Sequence, residues 1–372
     1  MNKRASLKSE QELRDQILSI ASLGQVAMAM ALGVELKLFE AMATVCKASP
    51  KHSATVAEVA AQAACKERYI YEWMAAMACG NLIDVDPSGQ HFSMRPEHIP
   101  VWIGGEGQLP EHSLHVIDFL PGFGGAFNKV KEAFRLDGPP GVPYSAYEDT
   151  FYTVMAAWSR TIHDGELCSG YMELIGALEL LQKGVNVLEA GCGAGFHIEK
   201  MARTFPNSHF TGIDLTQSAI NTATTRCEGL PNVKLICGNA SHLDKKWTEH
   251  FDVVFFIDSC HDMCRPDLAI SEVQRVLKPG GLFSMIEWPN GDGNVYEDRK
   301  KYGSAVAALF YAASAMHCLP VGSHVEGALQ LGNMMGHGRG RKLLEMGGFA
   351  KDKIEVLEPP FMPYNCIYTA RK

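Results

Sequence analysis

The sequence has no excess of basic residues, because its 34 lysines and arginines are outnumbered by 42 aspartates and glutamates. The resulting formal charge of −8 disfavours nonspecific binding to nucleic acid or to an anionic membrane, since both need clustered Lys and Arg. We therefore expect no nucleic-acid partner and no membrane partner. The composition favours a small molecule or a second copy of the chain instead.

Signs of secretion or of membrane insertion are also missing. The eleven cysteines are an odd number without CxxC spacing, and the first residues, MNKRASLKSEQEL, lack the apolar core of a secretory signal. The most apolar early stretch, Val26–Leu32, is too short to cross a bilayer. We predict reduced thiols, a cytoplasmic location and no transmembrane segment.

Patterns of metal ligands are scarce as well. Cys260, His261 and Cys264 lie within five positions of one another, but no second cluster at ligand spacing accompanies them. A structural zinc site usually takes its ligands from two such clusters. The sequence therefore predicts no metal site.

A glycine-rich turn is the most informative feature that is present. The run from Val187 to Thr216 contains an apolar strand, the turn, a helix, a second apolar strand over Phe210–Ile213, and then Asp214. The turn has glycine at alternate positions, namely Gly191, Gly193 and Gly195. Glycine lets the backbone approach a ligand closely, and a carboxylate at the end of the second strand can accept both ribose hydroxyls of an adenosine. This order of elements predicts a nucleoside pocket, although a glycine turn alone also occurs in α/β sheets that bind nothing there.

The glycine spacing separates this pocket from two commoner nucleotide sites. It is GxGxG, which is tighter than the GxGxxG of dinucleotide enzymes. A P-loop also needs Lys followed by Ser or Thr after its glycines, and this chain has neither there. The spacing therefore favours neither a nicotinamide dehydrogenase nor a phosphate-cradling loop.

A second group of polar residues follows the apolar strand Val253–Ile257. Asp258, His261 and Asp262 come soon after the carboxyl end of this strand, where open α/β sheets gather ligands. An imidazole titrates near neutral pH, so His261 is a candidate for removing a proton from an acceptor. The alternative interpretation is that His261 only caps the following turn.

Four segments together resemble successive motifs of class I S-adenosylmethionine-dependent methyltransferases: LEAGCGAG, GIDLT, FDVVFFIDSCHDM and VQRVLKPGGLFSMIEW. The resemblance is most specific from Gly184 to Trp288. It implies an α/β fold, with a Rossmann-like methyltransferase domain and a mostly parallel sheet over residues 165–372, and S-adenosylmethionine as the cofactor. The residues that it implies for cofactor binding are Glu189, Gly191, Gly193, Gly195, Asp214, Leu215, Asn239, Ala240 and Asp258.

The N-terminal part resembles a winged-helix domain. Two predicted helices, Val56–Ala63 and Glu67–Cys79, precede two short strands around a turn at Pro87–Gly89. The second helix has only Lys66 and Arg68 as basic residues at its start, so a dimer or interdomain surface suits it better than DNA binding. We expect a helical and winged-helix dimerisation domain over residues 1–98, and a homodimer.

A helical linker or lid region is expected over residues 99–164. Two stretches rich in glycine and proline, Phe119–Phe127 and Asp137–Ser145, predict breaks between its helices. Phe151, Tyr152, Met155 and Trp158 in this region, together with the segment Phe310–Met316, would suit an apolar acceptor pocket. An ordinary helical core would show the same pattern.

The resemblance extends to small-molecule O-methyltransferases of the plant type, in which a winged-helix domain also precedes the methyltransferase domain. It implies that His261 with Asp262 supplies the general base and that Glu287 orients the histidine. Three features depart from that pattern. Asn239 replaces an aspartate that bonds the adenine amine, Met263 replaces an aromatic residue, and a second acidic partner of the base is not visible in MMGHGRGRKLLEMGGF.

The predicted function is transfer of a methyl group from S-adenosylmethionine to a hydroxyl, thiol or amine of a small molecule by in-line displacement. A thiol is included because it ionises more readily than an alcohol and would tolerate an incomplete base. An acceptor that carries an anionic group could bind to the basic residues Arg160, His163, His337, Arg339 and Arg341. The alternative interpretation is that these residues form a solvated surface. The alternative functions are a winged-helix regulator that senses S-adenosylmethionine and a methyltransferase fold without activity.

Overall fold

The computed structural model describes residues 8–104, 112–147, 149–288, 294–362 and 365–372. The chain forms two compact units, Met1–Gly122 and Phe123–Lys372. The expected division at residues 98 and 164 stays a prediction. Each unit is described by itself.

The first unit is helical with one small hairpin. Its elements are α1 (Glu10–Glu35), α2 (Leu38–Ala48), α3 (Val56–Gln62), α4 (Glu67–Cys79), β1 (Asp84–Val85), β2 (Phe92–Ser93) and α5 (Ile99–Ile103). Helix α3 starts as expected at Thr55, whose side chain accepts from the Glu58 backbone N–H while the Glu58 carboxylate accepts from the Thr55 N–H. The predicted order of two helices followed by a hairpin is therefore confirmed.

Aromatic side chains form the centre of the first unit's core. The Phe39 ring stacks on Trp102 at 4.5 Å between centroids and meets Trp73 edge to face at 5.0 Å. Helix α1 comes close to these rings at Gly33, where an added Cβ would lie 2.8 Å from Phe39 and from Trp73. The Trp73 Nε1–H donates to the Ala29 carbonyl oxygen at 3.0 Å, which fixes the ring against α1.

Helix α1 has a long apolar surface that the first unit leaves exposed. The large apolar residues that are at least half exposed on this helix are Leu13, Ile17, Leu18, Ile20, Leu23 and Leu32. Helix α1 and the segment Val295–Val321 both have the length and apolar composition of a membrane span, with 11% and 39% of their most apolar windows buried. Core helices of soluble proteins and signal sequences satisfy the same criterion. The apolar part of helix α1 is longer than the stretch Val26–Leu32, so the short length of that stretch no longer argues against a membrane span. The absence of a transmembrane segment stays a prediction.

The second unit is an α/β domain. Helix α6 (His112–Ala133) crosses the boundary between the units. The later helices are α7 (Asp149–His163), α8 (Met172–Leu174), α9 (Leu178–Lys183), α10 (Phe196–Thr204), α11 (Gln217–Arg226), α12 (Pro266–Val276), α13 (Val295–Ala313), α14 (Leu319–Val321) and α15 (His337–Met346). The strands are β3 (Asn186–Ala190), β4 (His209–Asp214), β5 (Val233–Cys237), β6 (Phe251–Ile257), β7 (Leu277–Glu287), β8 (Ile354–Leu357) and β9 (Cys366–Arg371). Two π-helical turns, Leu167–Tyr171 and Ser314–Cys318, interrupt the helical segments.

Seven strands form one sheet in the order β5-β4-β3-β6-β7-β9-β8. The first five run parallel, whereas β9 is antiparallel to β7 and to β8. Alternate residues of β6 pack into different hydrophobic clusters, with Val254 and Phe256 in one and Val253 and Phe255 in the other. The sheet is therefore buried on both faces, as parallel sheets are, and the predicted fold class is confirmed.

Strand β3 is the point at which the order of the strands reverses. Its neighbours are β4 on one side and β6 on the other, so the connections leaving β3 and β4 run in the opposite direction from those leaving β6. A crevice forms at such a point beyond the carboxyl ends of the strands. The glycine turn follows β3 and Asp214 ends β4, so the topology brings both to this crevice.

One predicted break is wrong. The stretch Phe119–Phe127 lies inside helix α6, with Pro121 in the helix interior. Proline and glycine both weaken a helix, but Ala126 and Val130 lie four residues apart and are buried, so packing of that face stabilises it. The second stretch is irregular as expected until a 3-10 turn at Tyr144–Ala146.

Candidate active site

The second unit contains a cavity of about 400 Å³ at the carboxyl ends of its parallel strands. A volume of this size lies in the range of small-molecule sites. Predicted cofactor residues that line it are Gly191, Gly193, Asp214, Leu215, Asn239, Ala240 and Asp258. Those residues follow four different strands, and the fold brings them together in one place.

The three glycines of the turn have three different roles. An added Cβ at Gly191 would lie 2.5 Å from the Cβ of Ser259, and its φ of +76° also favours glycine. Gly193 has open space where its Cβ would be, so its backbone borders the cavity directly. Gly195 allows two helices to approach, because its Cβ would lie 2.8 Å from the Cβ of Ala223 on α11. The first two shape the cavity, whereas Gly195 is not among the described lining residues.

The carboxylate of Asp214 is held by two backbone amides. Its Oδ2 accepts from the N–H of Gly193 and its Oδ1 from the N–H of Thr216, each at 2.9 Å. Burial raises the pKa of this carboxyl above its usual value, although both amides oppose that change. A carboxylate oxygen has more than one lone pair, so each oxygen can still accept from a hydroxyl in the cavity.

Asn239 also borders the cavity, after β5. Its Oδ1 accepts from the N–H of Ser241 at 2.9 Å. The second lone pair of this oxygen can accept a further hydrogen bond without a charge. Asn239 therefore offers an uncharged acceptor at the cavity, and its contact with an adenine amine stays a prediction.

Glu189 lies behind the cavity, and the described lining does not include it. Its side chain is fully buried and faces His197 Nδ1 at 3.0 Å, while His197 Nε2 lies 3.0 Å from His163 Nδ1. Burial raises the pKa of Glu189 well above its usual value. It lowers the pKa of His197 to about 3 and that of His163 well below the ordinary histidine value. We interpret this row as an uncharged support for the turn, and of its three members His197 also lines the cavity.

The turn after β6 is held by Glu287, the last residue of β7. Its Oε1 accepts from the N–H groups of Cys260 at 2.9 Å and of His261 at 3.2 Å. Its Oε2 lies 2.5 Å from Nδ1 of His261. Glu287 therefore caps the turn and holds the imidazole, so the interpretation of His261 as a mere cap does not describe this geometry.

The other side of the His261 ring faces Asp262. The His261 Nε2 lies 3.3 Å from Asp262 Oδ1, and the hydroxyl of Tyr144 donates to Asp262 Oδ2 at 2.6 Å. Burial disfavours the charged imidazolium, but the carboxylates of Glu287 and Asp262 outweigh it and raise the pKa of His261 well above its ordinary value. Asp262 and Tyr144 line the cavity, whereas His261 and Glu287 lie beneath it.

Several residues of the site have no signal in the sequence pattern. Tyr144 is separated from Asp262 by 118 positions, and His317 lies 4.0 Å from the same carboxylate. Of the residues expected at an apolar pocket, Tyr152 and Met155 line the cavity, whereas Phe151, Trp158 and the segment Phe310–Met316 are not among its described lining. His197 belongs to the helix after the glycine turn, but nothing in its spacing marks it as a partner of Glu189.

The basic residues proposed for an anionic acceptor do not gather at the cavity. His337 pairs with Glu358 at 3.2 Å, and Arg341 donates to the Ile354 carbonyl oxygen at 3.1 Å. His163 is fully buried, and burial keeps its pKa low, so it carries no charge at neutral pH. None of the five residues is among the described lining.

Two family models match this chain. A model described as a methyltransferase domain matches residues 181–335, and one described as an Rv2258c-like winged HTH domain matches residues 24–102. The chain therefore contains a winged helix-turn-helix domain followed by a methyltransferase domain, as the motifs predicted.

Curated relatives match a part of the chain. A fatty-acid O-methyltransferase of Mycolicibacterium smegmatis is 38% identical over 101 residues, which is 27% of this chain and 36% of that protein. A phthiotriol/phenolphthiotriol dimycocerosates methyltransferase of Mycobacterium tuberculosis is 35% identical over 117 residues, 31% of this chain and 42% of the relative. The chain thus spans less than half the length of these relatives.

Solved structures match over nearly the whole chain. Human N-acetylserotonin methyltransferase in complex with SAM superposes with a TM-score of 0.66 at 14% identity and covers 100% of this chain and 99% of its own. An O-methyltransferase family protein from Burkholderia thailandensis gives a TM-score of 0.67 at 15% identity, with 99% of both chains covered. At this identity the likeness shows the fold, which is that of the predicted class.

Proposed function

We propose that this chain transfers a methyl group from S-adenosylmethionine to an apolar small molecule. The observation that carries the proposal is the carboxylate of Asp214, held by the Gly193 and Thr216 amides at the edge of the cavity. A carboxylate at the end of the second strand after a glycine turn suits the two hydroxyls of a ribose. The methyltransferase names of the relatives support the same reaction class.

The cavity residues fit a donor that carries an adenosine. At Gly191 a Cβ would collide with Ser259, so glycine leaves that space free. At Gly193 no side chain covers the backbone, which therefore faces the cavity. Asp214 would bind the ribose, and Asn239 with Ala240 would border the adenine. When bound, S-adenosylmethionine supplies a methyl group on a positively charged sulfur that an acceptor atom can displace in line.

We assign removal of the acceptor proton to His261. Glu287 holds Nδ1, which leaves Nε2 as the nitrogen that can take a proton, and because Nε2 lies 3.3 Å from the cavity-lining Asp262, the acceptor proton would reach it beside that carboxylate. Because the carboxylates of Glu287 and Asp262 raise the pKa of His261, the neutral form becomes more abundant as the pH rises above neutrality. The initial rate should therefore increase toward alkaline pH.

An apolar acceptor fits the contacts around the cavity best. Tyr152 and Met155 line it. In the same unit, outside the described lining, Trp158 stacks on Trp288 at 6.1 Å between centroids, and Trp288 packs on Phe310 at 5.0 Å. The relatives named for fatty-acid and phthiotriol substrates point to the same acceptor chemistry. A hydroxyl or carboxyl oxygen is the proposed acceptor atom, and thiols and amines are the alternatives to screen.

Calorimetric titration with S-adenosylhomocysteine, with NAD as a parallel ligand, tests the donor site. We expect saturable binding of the first ligand only, and its loss in Asp214→Ala. Gln217→Ala, a change on the exposed start of α11, is the matched control and should bind like the unmodified protein. Absence of binding by a protein with a normal circular dichroism spectrum would contradict the proposal.

We also propose that the chain is a cytoplasmic homodimer that associates through the exposed apolar face of α1. That face carries Ile17 and Ile20 at 59% and 62% exposure, and monomeric proteins rarely leave such a surface uncovered. Light scattering should give the mass of a dimer, and Ile17→Asp should shift it toward a monomer. A monomer mass for the unmodified protein would contradict the dimer.

A regulator that binds DNA remains the second candidate. On α4, Arg68 is paired with Glu72, which reduces the positive charge available to a phosphate backbone. Retardation of random duplex DNA at low salt would favour this candidate. We expect none.

A further inference from the structure

We propose that a cluster of four buried side chains beneath the cavity binds a zinc-type divalent cation, and that the bound cation withdraws His261 from proton transfer. The cluster consists of His261, Asp262, His317 and Cys318. The first part goes beyond the proposed function, and the second part depends on it.

The ligand atoms have the separations that a small cation requires. The His261 Nε2 and Asp262 Oδ1 atoms are 3.3 Å apart, and His317 Nδ1 lies 3.7 Å from Cys318 Sγ. His317 Nδ1 is 4.0 Å from Asp262 Oδ2, and the ligand atoms of His261, Asp262 and Cys318 lie within 4.8 Å of one another. Tetrahedral zinc with bonds of about 2.0 to 2.3 Å places its ligand atoms roughly 3.3 to 3.6 Å apart. A small contraction therefore brings His261, Asp262 and Cys318 to these separations, whereas His317 lies farther out and would have to move toward the cation to become the fourth ligand.

One carboxylate oxygen in the cluster lacks a hydrogen bond. Asp262 Oδ1 has no hydrogen-bond partner among the described residues, although the side chain is only 7% exposed. Buried carboxylate oxygens are normally satisfied by donors or by a metal ion. A cation between Asp262 and His261 would satisfy this oxygen.

Neighbouring residues hold two of the ligands in the orientation that coordination needs. Glu287 faces Nδ1 of His261, so Nε2 points toward the cluster. Tyr144 donates to Asp262 Oδ2. Metal-binding histidines commonly donate their second ring nitrogen to a carboxylate in this way, and the arrangement fixes both tautomer and ring orientation.

The other two ligands come from the π-helical turn Ser314–Cys318. The wider π-helical turn places the adjacent residues His317 and Cys318 near the carboxylate of Asp262. The His317 side chain is only 3% exposed. Single π turns inside helices occur frequently at functional sites. Two adjacent pairs of ligands, 55 positions apart in the chain, thus meet at one point.

The donor set selects the type of cation. One thiolate, two imidazoles and one carboxylate suit Zn²⁺, whereas Mg²⁺ and Ca²⁺ prefer oxygen ligands alone. On binding, the Cys318 thiol and the His261 imidazolium each release a proton to solvent, and His261 then coordinates through Nε2. The cation and the acceptor proton would then compete for the same nitrogen lone pair. Zinc should therefore inhibit methyl transfer without displacing the donor.

Cobalt titration of chelator-treated full-length protein tests the site. We expect one equivalent to bind with the near-ultraviolet absorption of a cobalt–thiolate bond, and Zn²⁺ to displace it. Cys318→Ser should lose this absorption and weaken metal binding by roughly tenfold or more. Cys264→Ser, a nearby thiol that pairs with His324 at 3.2 Å, is the matched control and should keep the absorption. No bound cobalt, or an unchanged absorption in Cys318→Ser, would overturn the proposal.

Each sample is also titrated with S-adenosylhomocysteine and assayed with and without Zn²⁺, and each rate is normalised to the same variant's metal-free rate. We expect Zn²⁺ to inhibit the unmodified protein and Cys264→Ser alike, and inhibition of Cys318→Ser to need roughly tenfold more metal. Metal binding without inhibition of transfer would overturn the second part. Donor binding and turnover without cobalt binding would overturn the metal site alone. Cobalt binding without donor binding would overturn the proposed function and leave the metal site standing.

Discussion

The two sides of the cavity differ in how the chain assembles them. The donor side comes from neighbouring segments, since the glycine turn and Asp214 lie within one strand–helix–strand run of the sequence. The acceptor side comes from distant segments, where Tyr144, His261, Glu287 and His317 meet through the fold. The donor side therefore depends on neighbouring segments of the chain, and the acceptor side depends on contacts between distant segments. A substitution on the acceptor side should then leave the donor side intact. The following predictions test whether the two sides are separable, from the largest expected effect to the smallest.

Changing His261 to Ala should affect only the acceptor side. Loss of the proton acceptor should lower kcat by roughly 10²- to 10⁴-fold, the usual contribution of general base catalysis. The dissociation constant of S-adenosylhomocysteine should change by less than about threefold, because His261 lies beneath the cavity and not on its described lining. Single-turnover kinetics and calorimetry on one preparation measure both. A parallel loss of donor binding would show that the two sides are not separable.

Changing Gly191 to Ala should affect the donor side. The new Cβ would lie 2.5 Å from that of Ser259 and would occupy a backbone with φ of +76°, so we expect a loss of about 2 to 4 kcal/mol in unfolding free energy or donor binding. Urea denaturation and calorimetry measure the two effects. The double variant with Ser259→Gly removes the contact but keeps the backbone strain, so it should recover part of the loss. Full activity of the single variant would contradict the geometry.

The buried row behind the donor side should make stability depend on pH. The pKa of His197 is about 3 in the folded protein and about 6.5 when unfolded, so the unfolded state binds an extra proton between these values. The free energy of unfolding should therefore fall as the pH decreases from about 6.5 to 3, by at most roughly 1.4 kcal/mol per unit from this residue. Urea denaturation across this range should show a shallower fall for His197→Gln.

Two further variants separate the contributions to this pH dependence. His209→Gln changes an exposed histidine at the start of β4 and should follow the unmodified protein. Glu189 has a pKa raised above its unfolded value, so its contribution to stability is present at low pH and is lost as the pH rises. Glu189→Gln should remove that opposing trend. Equal acid sensitivity of His197→Gln and the unmodified protein would argue against a neutral buried His197.

Changing Asn239 to Asp should slightly strengthen the donor side. The charged oxygen is a better acceptor for an adenine amine than the amide oxygen, so binding of S-adenosylhomocysteine should tighten by about two- to fivefold. The backbone N–H of Ser241 can bond the new carboxylate as it bonds Asn239 Oδ1. Calorimetry measures the affinity, and Asn239→Ala should weaken it. Weaker binding by the aspartate variant would place the amide at a different part of the donor.

Local sequence was sufficient for the donor side because its signals are local. The glycines, the alternating strands and Asp214 predict a turn at the end of β3 and a carboxylate at the end of β4, and both line the cavity. The same reasoning also named Glu189 and Gly195, which are not among the residues that line the cavity, so their part in cofactor binding stays a prediction. The sequence pattern of an acidic residue or a glycine does not show on which side of the backbone the cavity lies.

Helix boundaries show the same limit. The pattern correctly predicted α4 and the Thr55 cap of α3, because a cap and an amphipathic face involve residues within one or two turns. It failed at Phe119–Phe127, where burial of Ala126 and Val130 outweighs the helix-breaking tendency of proline and glycine. Packing of that kind depends on residues that are remote in the sequence.

The sequence by itself therefore determined the order of elements, the glycine turn, the carboxylate after β4 and the identity of the domains. Only the tertiary structure decided that Glu287 holds His261, that Tyr144 bonds Asp262, and that His317 and Cys318 face the same carboxylate. The physical reason is range: backbone turns and amphipathic faces arise from interactions within a few residues. The charge and orientation of a buried imidazole depend instead on side chains that the folded chain brings together from far apart.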